Sequence, residues 1–325
     1  MRIVSGIQPT GIVHLGNYFG TLTNWVKLQN EGNECFWFIA DQHAITIPQK
    51  PKELKKSILD VAATLLTIGL DPEKSTIFVQ SDVPEHSQLN WVFNCLTPVG
   101  LMEGMIQFKE KSKQENKNAN IGLFTYPILM AADILLYKAD AVPVGVDQSQ
   151  HMELTRDIVK KFNNYYGEFF KEPKTLHTPV TKLLGLDGKA KMSKSLNNYI
   201  GITEDTETIW KKLATAATDP ARVKRTDPGN PDKCNIYTLH KLFSPQQDLD
   251  WVNFGCRNAT IGCIDCKKRL YENMMKQLNP IREKYIELIN KPERIKAILK
   301  NGAEKAQKIA CKNLAEIYDL VGFKY

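Results

Sequence analysis

The stretch RIVSGIQPTGIVHLGNYFGTLTNWVKLQNEGNECFWFIAD, residues 2–41, carries the pattern that decides the fold. Its two ends, RIVSG and CFWFIAD, are short, rich in β-branched or aromatic residues and bounded by turn residues, which is typical of strands. The segment between them, GNYFGTLTNWVKLQNEG, has a helical pattern. A strand, a helix and a second strand in this order predict a βαβ unit with parallel strands.

The same alternation continues through the first 200 residues. STIFVQSD (75–82) and AVPVG (141–145) are further strand candidates, and PKELKKSILDVAATLLTIGL and DQSQHMELTRDIVKKFN have helical patterns. We therefore predict an α/β fold for residues 1–200, a Rossmann-like parallel sheet with helices on both faces. Sheets of this kind bind their ligands at the carboxyl ends of the strands.

After residue 200 the strand patterns fade and helical patterns dominate. The clearest run begins at Asn279, NPIREKYIELINKPERIKAILKNGAEKAQKIACKNLAEIYDLVGF, and Pro292 and Gly302 are expected to break it into antiparallel helices. We predict that residues 201–325 form an all-α domain.

Charge is unevenly distributed along the chain. Residues 201–325 contain 22 lysines and arginines against 16 aspartates and glutamates, whereas residues 1–200 contain 21 against 20. This excess is either an ordinary solvated surface or a surface that binds a polyanion.

The composition is that of an ordinary globular protein, with 42% hydrophobic and 24% charged residues. No apolar run approaches the roughly 18 residues that a membrane span requires. The N-terminal MRIVSGIQPTG lacks the long apolar core of a signal peptide, so we expect a cytoplasmic protein.

A polar helix start follows the first predicted strand, in SGIQPTGIVHLGNYFG, residues 5–20. The first amides of a helix bind anions, and a glycine such as Gly16 permits the close approach of a phosphate or a flat ring. His14 and Asn17 are expected on one helix face, where both can donate to phosphate oxygens. Neither the Walker-type nor the dinucleotide glycine motif is present, and an ordinary polar helix start would look similar.

Lysines and serines alternate in DGKAKMSKSLNN, residues 187–198, which alone is typical of a solvated loop. Together, H-L-G-N and K-M-S-K-S resemble the two signatures of the class I aminoacyl-tRNA synthetases. The segments SGIQPTG, DQHAIT, FKEKS, TYPILMAADILLY, PVGVDQ and KMSKS resemble, in the same order, those of the tryptophanyl enzymes. The resemblance is dense over residues 1–200 and looser beyond them.

The resemblance implies a tryptophan–tRNA ligase, which activates L-tryptophan with ATP and transfers it from tryptophanyl-adenylate to the 3′ end of tRNA(Trp). Lys191 and Lys194 are then expected to stabilise the charge that develops on the α-phosphoryl oxygens and on pyrophosphate, with Mg2+ sharing that charge. His14 and Asn17 complete the expected catalytic set. A loop that closes only on ATP would be polar and unanchored. The family further implies a homodimer and contact between the basic helical part and the anticodon stem.

The ATP site implied by the resemblance includes residues of all these polar segments. Asp147 is expected to bond the ribose hydroxyls and Met192 to pack near the adenine, while Leu183 lies along the adenine or in the core. Lys109 and Lys111 are candidates for phosphate contacts or for a solvated helix face. The expected ATP-binding residues are Gln8, Pro9, Thr10, Gly16, Asn17, Gly145, Val146, Asp147, Leu183, Lys191, Met192, Ser193, Lys194 and Ser195.

The segment TYPILMAADILLYKAD, residues 125–140, predicts a helix, and the resemblance implies that this helix contacts the amino acid. Pro127 suits the first turn of a helix, and Tyr126, Met130, Asp133 and Tyr137 would then share one face. A buried Asp133 requires a donor, either a structural partner such as an arginine or a donor-only ligand group. By resemblance that group is the indole N–H, and a ligand without it would leave Asp133 unpaired.

The remaining tryptophan contacts are also implied by the resemblance, with Tyr126 and Gln148 on the α-amine. The expected set is Asp133, Tyr126, Met130, Gln148, Val142, Val144, His43 and Val4. Val4 stands where the family often has an aromatic residue against the indole. Val146 stands where the family's G-E-D-Q has its glutamate, so any role of that carboxylate is missing.

Four cysteines, Cys234, Cys256, Cys263 and Cys266, are spaced C-x21-C-x6-C-x2-C. In a cytoplasmic protein metal ligation competes with free thiols. Structural zinc favours two close pairs, so a 4Fe-4S cluster fits this spacing at least as well as zinc. The spacing resembles, within one residue, the cluster motif that a subset of tryptophanyl-tRNA synthetases carries beside the anticodon-binding surface. Lys267, Lys268 and Arg269 follow the last cysteine and are candidate RNA contacts.

Three other functions remain open at this stage. A tyrosyl enzyme would share the architecture, although MAADILLY and the cysteine set argue against it. A catalytically silent, synthetase-like RNA-binding protein would have no need of both polar signatures. A small-molecule adenylyltransferase would share the helix start but has no reason for a basic helical domain.

Overall fold

The computed structural model of the chain describes residues 1–105, 119–177 and 183–323. The chain forms two compact units: Met1–Thr10, Thr23–Val180 and Lys291–Tyr325 make the first, and Gly11–Leu22 and Thr181–Asn290 make the second. This grouping differs from the single boundary at residue 200 that the sequence predicts. The difference arises because the C-terminal segment packs in the first unit and a short segment after the first strand belongs to the second.

The first unit contains a sheet with five parallel strands among its described residues. The strands are β1 (Arg2–Ile7), β2 (Glu34–Ile39), β3 (Ser75–Val79), β4 (Ala141–Val144) and β5 (Lys174–His177). They lie in the order β3-β2-β1-β4-β5. This is the predicted Rossmann-like arrangement, in which the chain reverses its direction across the sheet between β1 and β4.

The central strands are apolar on both faces because helices cover the sheet. In β2 every residue after Glu34 is buried, and the strand pairs with β1 from Arg2↔Glu34 to Ile7↔Ile39. β5 lacks this signature: its residues KTLH are half-buried or exposed, and its one partner strand among the described residues is β4. It was not predicted, since an edge strand of this composition has no apolar alternation.

Helices connect the strands of the first unit and pack on them. They are α2 (Thr23–Asn30), α3 (Asp41–Ala44), α4 (Pro51–Thr67), α5 (Glu85–Leu96), α6 (Val99–Glu103), α7 (Ile121–Leu135) and α8 (Ser149–Tyr166); α1 (Leu15–Asn17) belongs to the second unit. α2 and α4 contact β2, whereas α7 contacts β1 and packs between α5 and α8.

The helix expected from TYPILMAADILLY begins earlier than predicted. Asn120 is its N-cap, and the Asn120 side chain accepts a hydrogen bond from the amide of Leu123 at 2.9 Å. Pro127 therefore lies in the interior of α7 and does not mark its first turn. The prediction was wrong because an asparagine cap before an apolar run is an equally good start signal, and it was overlooked.

The second unit is built mainly from helices. After the polar loop that follows Leu183 come α9 (Thr206–Thr215), α10 (Asn235–Phe243), α11 (Gln246–Arg257) and α12 (Cys263–Ile289). α12 contacts α9, α10 and α11, so it forms the core of this unit. The predicted all-α character after residue 200 is confirmed.

The last helix, α13 (Pro292–Val321), belongs to the first unit and packs on β3, α4 and α5. Pro292 begins it as predicted, but Gly302 does not interrupt it. A Cβ atom at Gly302 would collide with the carbonyl oxygen of Ile77 in β3. The glycine is therefore needed for the close approach of helix and strand and does not act as a break.

The basic excess is likewise divided between the units. Residues 291–325 contain eight lysines and arginines against four acidic residues, whereas residues 201–290 contain 14 against 12. Most of the C-terminal excess thus belongs to the segment that joins the first unit. In the parts of the chain that the structure describes, no helix combines the length and apolar character needed to cross a membrane.

Candidate active site

The predicted ligand-binding segments of the first unit follow the carboxyl ends of β1 and β4. Gln8 and Thr10 are exposed and Pro9 is buried just beyond β1, while Gly145–Gln148 follow β4 directly. A Cβ atom at Gly145 would collide with the Asp147 carboxylate. Because the order of strands reverses between β1 and β4, these segments lie where an open α/β sheet binds its ligand.

Asp133 of α7 lies in a buried network of donors. Only 1% of the residue is exposed. Its Oδ2 accepts from His43 Nε2 at 2.7 Å, and its Oδ1 lies 2.7 Å from both Gln80 Nε2 and His86 Nδ1. His86 in turn contacts the Tyr137 hydroxyl through Nε2 at 2.8 Å.

This network stabilises the anionic form of Asp133. Burial acts to raise the pKa of the carboxyl group, but the hydrogen bonds and charge interactions with His43 and His86 outweigh it and hold the pKa below its ordinary value. The partners are two histidines and a glutamine, so the arginine considered from the sequence was wrong. Gln80 and His86 were not identified as site residues, because neither is close to Asp133 in the chain.

Tyr126 and Gln148, the residues expected on the α-amine, are joined by a third side chain. His151 in the first turn of α8 places Nε2 3.2 Å from the Tyr126 hydroxyl and Nδ1 2.6 Å from Gln148 Oε1. Burial, and to a smaller extent the charge of Asp147, raises the pKa of Tyr126, so the phenol is neutral. His151 was missed because it belongs to no motif of the sequence.

The apolar residues of the expected tryptophan site are buried or half-buried in the first unit. Val4 is fully buried in β1, and Val142 and Val144 are buried in β4. Met130 is half-buried on α7, one turn from Tyr126 and from Asp133. Val4 packs in the hydrophobic core of the first unit.

In the second unit, His14 and Asn17 cap the start of α1 reciprocally. His14 Nδ1 accepts from the backbone amide of Asn17, and Asn17 Oδ1 accepts from the backbone amide of His14, both at 3.3 Å. Burial, together with the charges of Lys194 and Lys191, lowers the pKa of His14 to about 4. His14 is therefore a neutral imidazole whose proton is on Nε2, and Nε2 is the ring nitrogen that can donate a hydrogen bond.

The two signature segments, distant in sequence, lie beside each other in this unit. A Cβ atom at Gly11 would be 3.6 Å from Lys194 Cδ, and one at Gly16 would be 3.6 Å from Met192 Cβ. Gly11 has φ +104°, a conformation that favours glycine. Lys194 thus extends over the segment that leads into α1, next to His14.

The K-M-S-K-S loop is held in place by its own hydrogen bonds. Asn198 accepts from the Ser193 amide at 2.8 Å and donates to Asp187 Oδ2 at 3.0 Å, and Lys191 forms an antiparallel bridge with Leu184. The expectation of an unanchored loop is therefore wrong for this structure. Asn198, in the tail of the quoted segment, was missed because its amide satisfies backbone groups and carries no catalytic signature.

The predicted ATP residues of this loop differ in exposure. Leu183 and Met192 are buried, Ser193 and Lys194 are half-buried, and Lys191 and Ser195 are exposed. Burial lowers the pKa of Lys194 to about 8. Its ammonium group is therefore easier to deprotonate than an ordinary lysine.

Lys109 and Lys111 lie outside the described residues. Nothing in the structure therefore bears on their expected phosphate contacts.

Four cysteines from the ends of three helices line one cavity. Cys234 precedes α10, Cys256 lies in the last turn of α11, and Cys263 and Cys266 lie in the first turn of α12. The other walls of this cavity are mainly apolar. Arg222 Nη1 approaches Cys256 Sγ to 3.6 Å. The cysteines predicted as a metal set are thus brought together.

The cavity does not have the form of a site for a single ion. Among residues 1–105, 119–177 and 183–323, no three histidine, cysteine or carboxylate side chains form a group that could hold a metal ion. Burial, together with the charges of the other three cysteines, raises the pKa of Cys266. Without a cation to balance them, four thiolates around one cavity are unfavourable.

The expected RNA contact of Lys267 was wrong. Its side chain is buried, and Nζ donates to the carbonyl oxygens of Ala214 and Ala216 at 2.7 Å each, at the end of α9. A cation is favourable there because the last carbonyls of a helix have no partner within it. Arg269 interacts with Asp248 and with the Trp251 ring, while Lys268 is exposed.

Comparison with known proteins establishes the class of protein to which this fold and these segments belong. Residues 1–279 match the family model described as tRNA synthetases class I (W and Y). The chain belongs to this family.

Similarity to curated relatives and to a solved structure specifies the member of that class. The chain is 50% identical over 326 residues to the tryptophan–tRNA ligase of Deinococcus radiodurans, covering 99% of this chain and 98% of the relative. It is 44% identical over 321 residues to that of Thermotoga maritima, covering 98% of each. A crystal structure of Campylobacter jejuni tryptophanyl-tRNA synthetase complexed with ADP and tryptophan is 40% identical, with a TM-score of 0.92 and coverage of 99% and 100%. The chain functions as a tryptophan–tRNA ligase, and the tyrosyl alternative is not supported.

Proposed function

We propose that this tryptophan–tRNA ligase works through the residues expected from its sequence. A tryptophan carboxylate oxygen attacks the α-phosphorus of ATP, the bond from that phosphorus to the bridging oxygen breaks, and pyrophosphate leaves. The terminal ribose hydroxyl of tRNA then attacks the adenylate's carbonyl carbon and displaces AMP. The observation that carries the assignment is the proximity of Lys194 to Gly11 and His14, which unites the two signature segments.

The phosphate chemistry is assigned to the second unit. Lys191 and Lys194 stabilise the charge on the α-phosphoryl oxygens and on departing pyrophosphate, because fixed cations act most strongly where charge develops. His14 Nε2 and the side-chain NH2 of Asn17 donate to phosphate oxygens, and Ser193 and Ser195 add hydroxyls. Mg2+ would share the phosphate charge.

The amino acid is assigned to the first unit. The α-ammonium group of tryptophan is held by acceptors on Tyr126 and Gln148, and Asp133 accepts the indole N–H. Asp133 already has three donors, so its two oxygens use most of their lone pairs before the ligand arrives. Recognition would then rely on a carboxylate whose orientation is fixed in advance, with Val142 and Val144 as apolar neighbours.

Amino-acid-dependent exchange of labelled pyrophosphate into ATP tests this assignment. Wild-type protein should support exchange with tryptophan and not with tyrosine. Lys194→Met should lower the exchange rate on the order of a hundredfold, because it removes a cation that stabilises the transition state. Equal exchange by wild type and Lys194→Met would overturn the role given to this loop.

We further propose that the cysteine-lined cavity holds a 4Fe-4S cluster with a structural role. One observation supports a cluster over zinc: the four thiols line a common cavity, but among the described residues no three of them form a group that could hold a single ion. The first turns of α10 and α12 also provide helix N-termini, which favour thiolate ligands for either metal centre. Cys234, Cys256, Cys263 and Cys266 would be the ligands, and Arg222 would offset negative charge.

Anaerobic purification followed by iron and sulfide analysis tests the cluster. About four irons and four sulfides per chain are expected, with none retained in Cys266→Ser. Cys95→Ser, an exposed cysteine of the first unit, is the matched control and should keep the full content. Cys266→Ser should impair tRNA charging and largely spare pyrophosphate exchange. Equal loss of both activities, or zinc in place of iron, would contradict the proposal.

The remaining assignments concern the whole molecule. We propose that the helical second unit contacts the anticodon stem of tRNA(Trp), that the protein is cytoplasmic and that it forms a homodimer. Exposed apolar side chains at Trp91 and Val99, on consecutive helices α5 and α6, support a second copy as a partner. Sedimentation of wild type and Trp91→Lys should show a dimer that the substitution weakens.

A further inference from the structure

His151 connects the two side chains assigned to the α-ammonium group of tryptophan. It is 1% exposed and lies in the first turn of α8, where Nδ1 is 2.6 Å from Gln148 Oε1 and Nε2 is 3.2 Å from the Tyr126 hydroxyl. The rings of His151 and Tyr126 also meet edge to face, with centroids 5.3 Å apart. All three residues belong to the first unit.

The chemistry of these atoms fixes the direction of each hydrogen bond. An amide oxygen only accepts, so the Nδ1 of His151 must carry the proton that it shares with Gln148. Nε2 of a neutral imidazole is then an acceptor, and the Tyr126 hydroxyl donates to it. Gln148 Nε2 donates to Asp147 Oδ2 at 3.0 Å, which agrees with the same orientation of the amide.

This arrangement has a consequence for a cationic ligand. An ammonium group is donor-only, so it needs lone pairs and is repelled by polar hydrogens. A hydroxyl group that could rotate would present either a lone pair or its hydrogen to the ammonium group. Because the Tyr126 hydroxyl directs its proton at His151, the lone pairs of its oxygen point away from His151. The hydrogen bond from His151 Nδ1 likewise fixes the orientation of the Gln148 side-chain oxygen.

We propose that His151 is a positioning residue for the amino acid: it orients Tyr126 and Gln148 as acceptors for the α-ammonium group. The inference rests on the proposed function of these two side chains and adds to it a residue that touches neither the indole nor the phosphates. Under this proposal the site selects a ligand that carries a primary ammonium group as well as an indole.

A buried histidine could instead serve only to fill space, and the two roles differ in what they do to ligands without the amine. His151→Phe keeps the ring and removes both nitrogens. Under the proposal, the KM for tryptophan in pyrophosphate exchange rises at least about tenfold. The inhibition constant of indole-3-propionate, which lacks the amine, changes less than about twofold. The KM for ATP is unchanged.

Two further variants complete the experiment. His151→Gln supplies an acceptor near the former Nε2 and should recover part of the lost tryptophan affinity; it also carries the test if His151→Phe fails to fold. Thr155→Val, one turn further along α8, alters a buried side chain that bonds only the His151 carbonyl in the described contacts, and should behave as wild type.

The outcomes distinguish a failure of the positioning role of His151 from a failure of the proposed function. Equal loss of affinity for tryptophan and indole-3-propionate in the His151 variants, or no loss for either, would overturn the positioning role while wild-type exchange stands. Absence of tryptophan-dependent exchange in wild type would overturn the proposed function itself.

Discussion

His86 donates through Nδ1 to the Asp133 carboxylate at 2.7 Å, although the two residues are 47 positions apart in the chain. The same imidazole contacts the Tyr137 hydroxyl through its other nitrogen. The carboxylate that we propose as the acceptor for the indole N–H is therefore held by donors from several elements of the protein. Under the proposed function, the stability of this buried carboxylate and its recognition of the ligand depend on the same hydrogen bonds.

The first prediction concerns the acid sensitivity that this network confers. The folded-state pKa of Asp133 is lowered, so the unfolded chain binds the proton more tightly, and the network's contribution is present above the ordinary aspartate pKa and lost as pH falls. Asp133→Asn should lower the free energy of unfolding at pH 7 by roughly 3 kcal/mol, because an amide cannot accept from all the donors. Its stability should also fall less than that of wild type between about pH 5 and pH 2.

Urea unfolding at a series of pH values measures this effect. Asp157→Asn, a half-exposed carboxylate on α8, is the control and should retain the wild-type pH dependence. Parallel pH curves for wild type and Asp133→Asn would show that Asp133 is not the source of the acid sensitivity.

The second prediction concerns Lys194. Because burial lowers its pKa to about 8, the ammonium group is lost as pH rises through that value in the free protein. The kcat/KM for ATP in pyrophosphate exchange should therefore fall above about pH 8. Lys194→Arg remains charged, so its falling limb should move to higher pH, with a reduced maximum because a guanidinium differs in shape. The exposed Lys189→Met should keep the wild-type profile, whereas an unchanged limb in Lys194→Arg would assign it to another group.

The third prediction separates two neighbouring lysines after the last cysteine. Lys267→Met removes the donor to two carbonyls at the end of α9 and should lower the free energy of unfolding by about 1–3 kcal/mol. Lys268→Met, at an exposed position, should leave stability unchanged and weaken only tRNA charging, with a smaller effect at high salt. Thermal unfolding and aminoacylation assays on both variants distinguish the structural role of Lys267 from the RNA contact of Lys268. A fully stable Lys267→Met protein that fails to bind tRNA would restore the original RNA-contact prediction.

The fourth prediction concerns Gly302. In an exposed helix, replacing glycine by alanine stabilises by about 1 kcal/mol. Here the added Cβ atom would collide with the Ile77 carbonyl, so Gly302→Ala should instead destabilise the protein by roughly 1–3 kcal/mol. Asn301→Ala, at the exposed neighbouring position, should be neutral or stabilising in the same chemical denaturation experiment. Stabilisation by Gly302→Ala would mean that α13 does not approach β3 this closely.

Much of the fold follows from local patterns. The apolar runs of β1 to β4 and the helical periods between them indicate a parallel sheet, since only strands covered on both faces are apolar throughout. The signature segments indicated the chemistry through their resemblance to those of class I aminoacyl-tRNA synthetases, since a polar helix start or a lysine-rich loop alone would not. β5 was not predicted, because it is a strand through backbone pairing with β4 and not through its composition.

The sequence alone therefore determined the class of fold and the enzyme family, and it predicted the residues that we propose to recognise the substrate. Only the tertiary structure decided their partners: the donors to Asp133, the bridging position of His151, the burial of Lys267 and the need for glycine at residue 302. The physical reason is that periodicity and motifs record which face of an element is buried and which group is chemically active. Which distant atoms meet is set by how the elements pack, because each buried polar group must find its partner wherever the packing brings one.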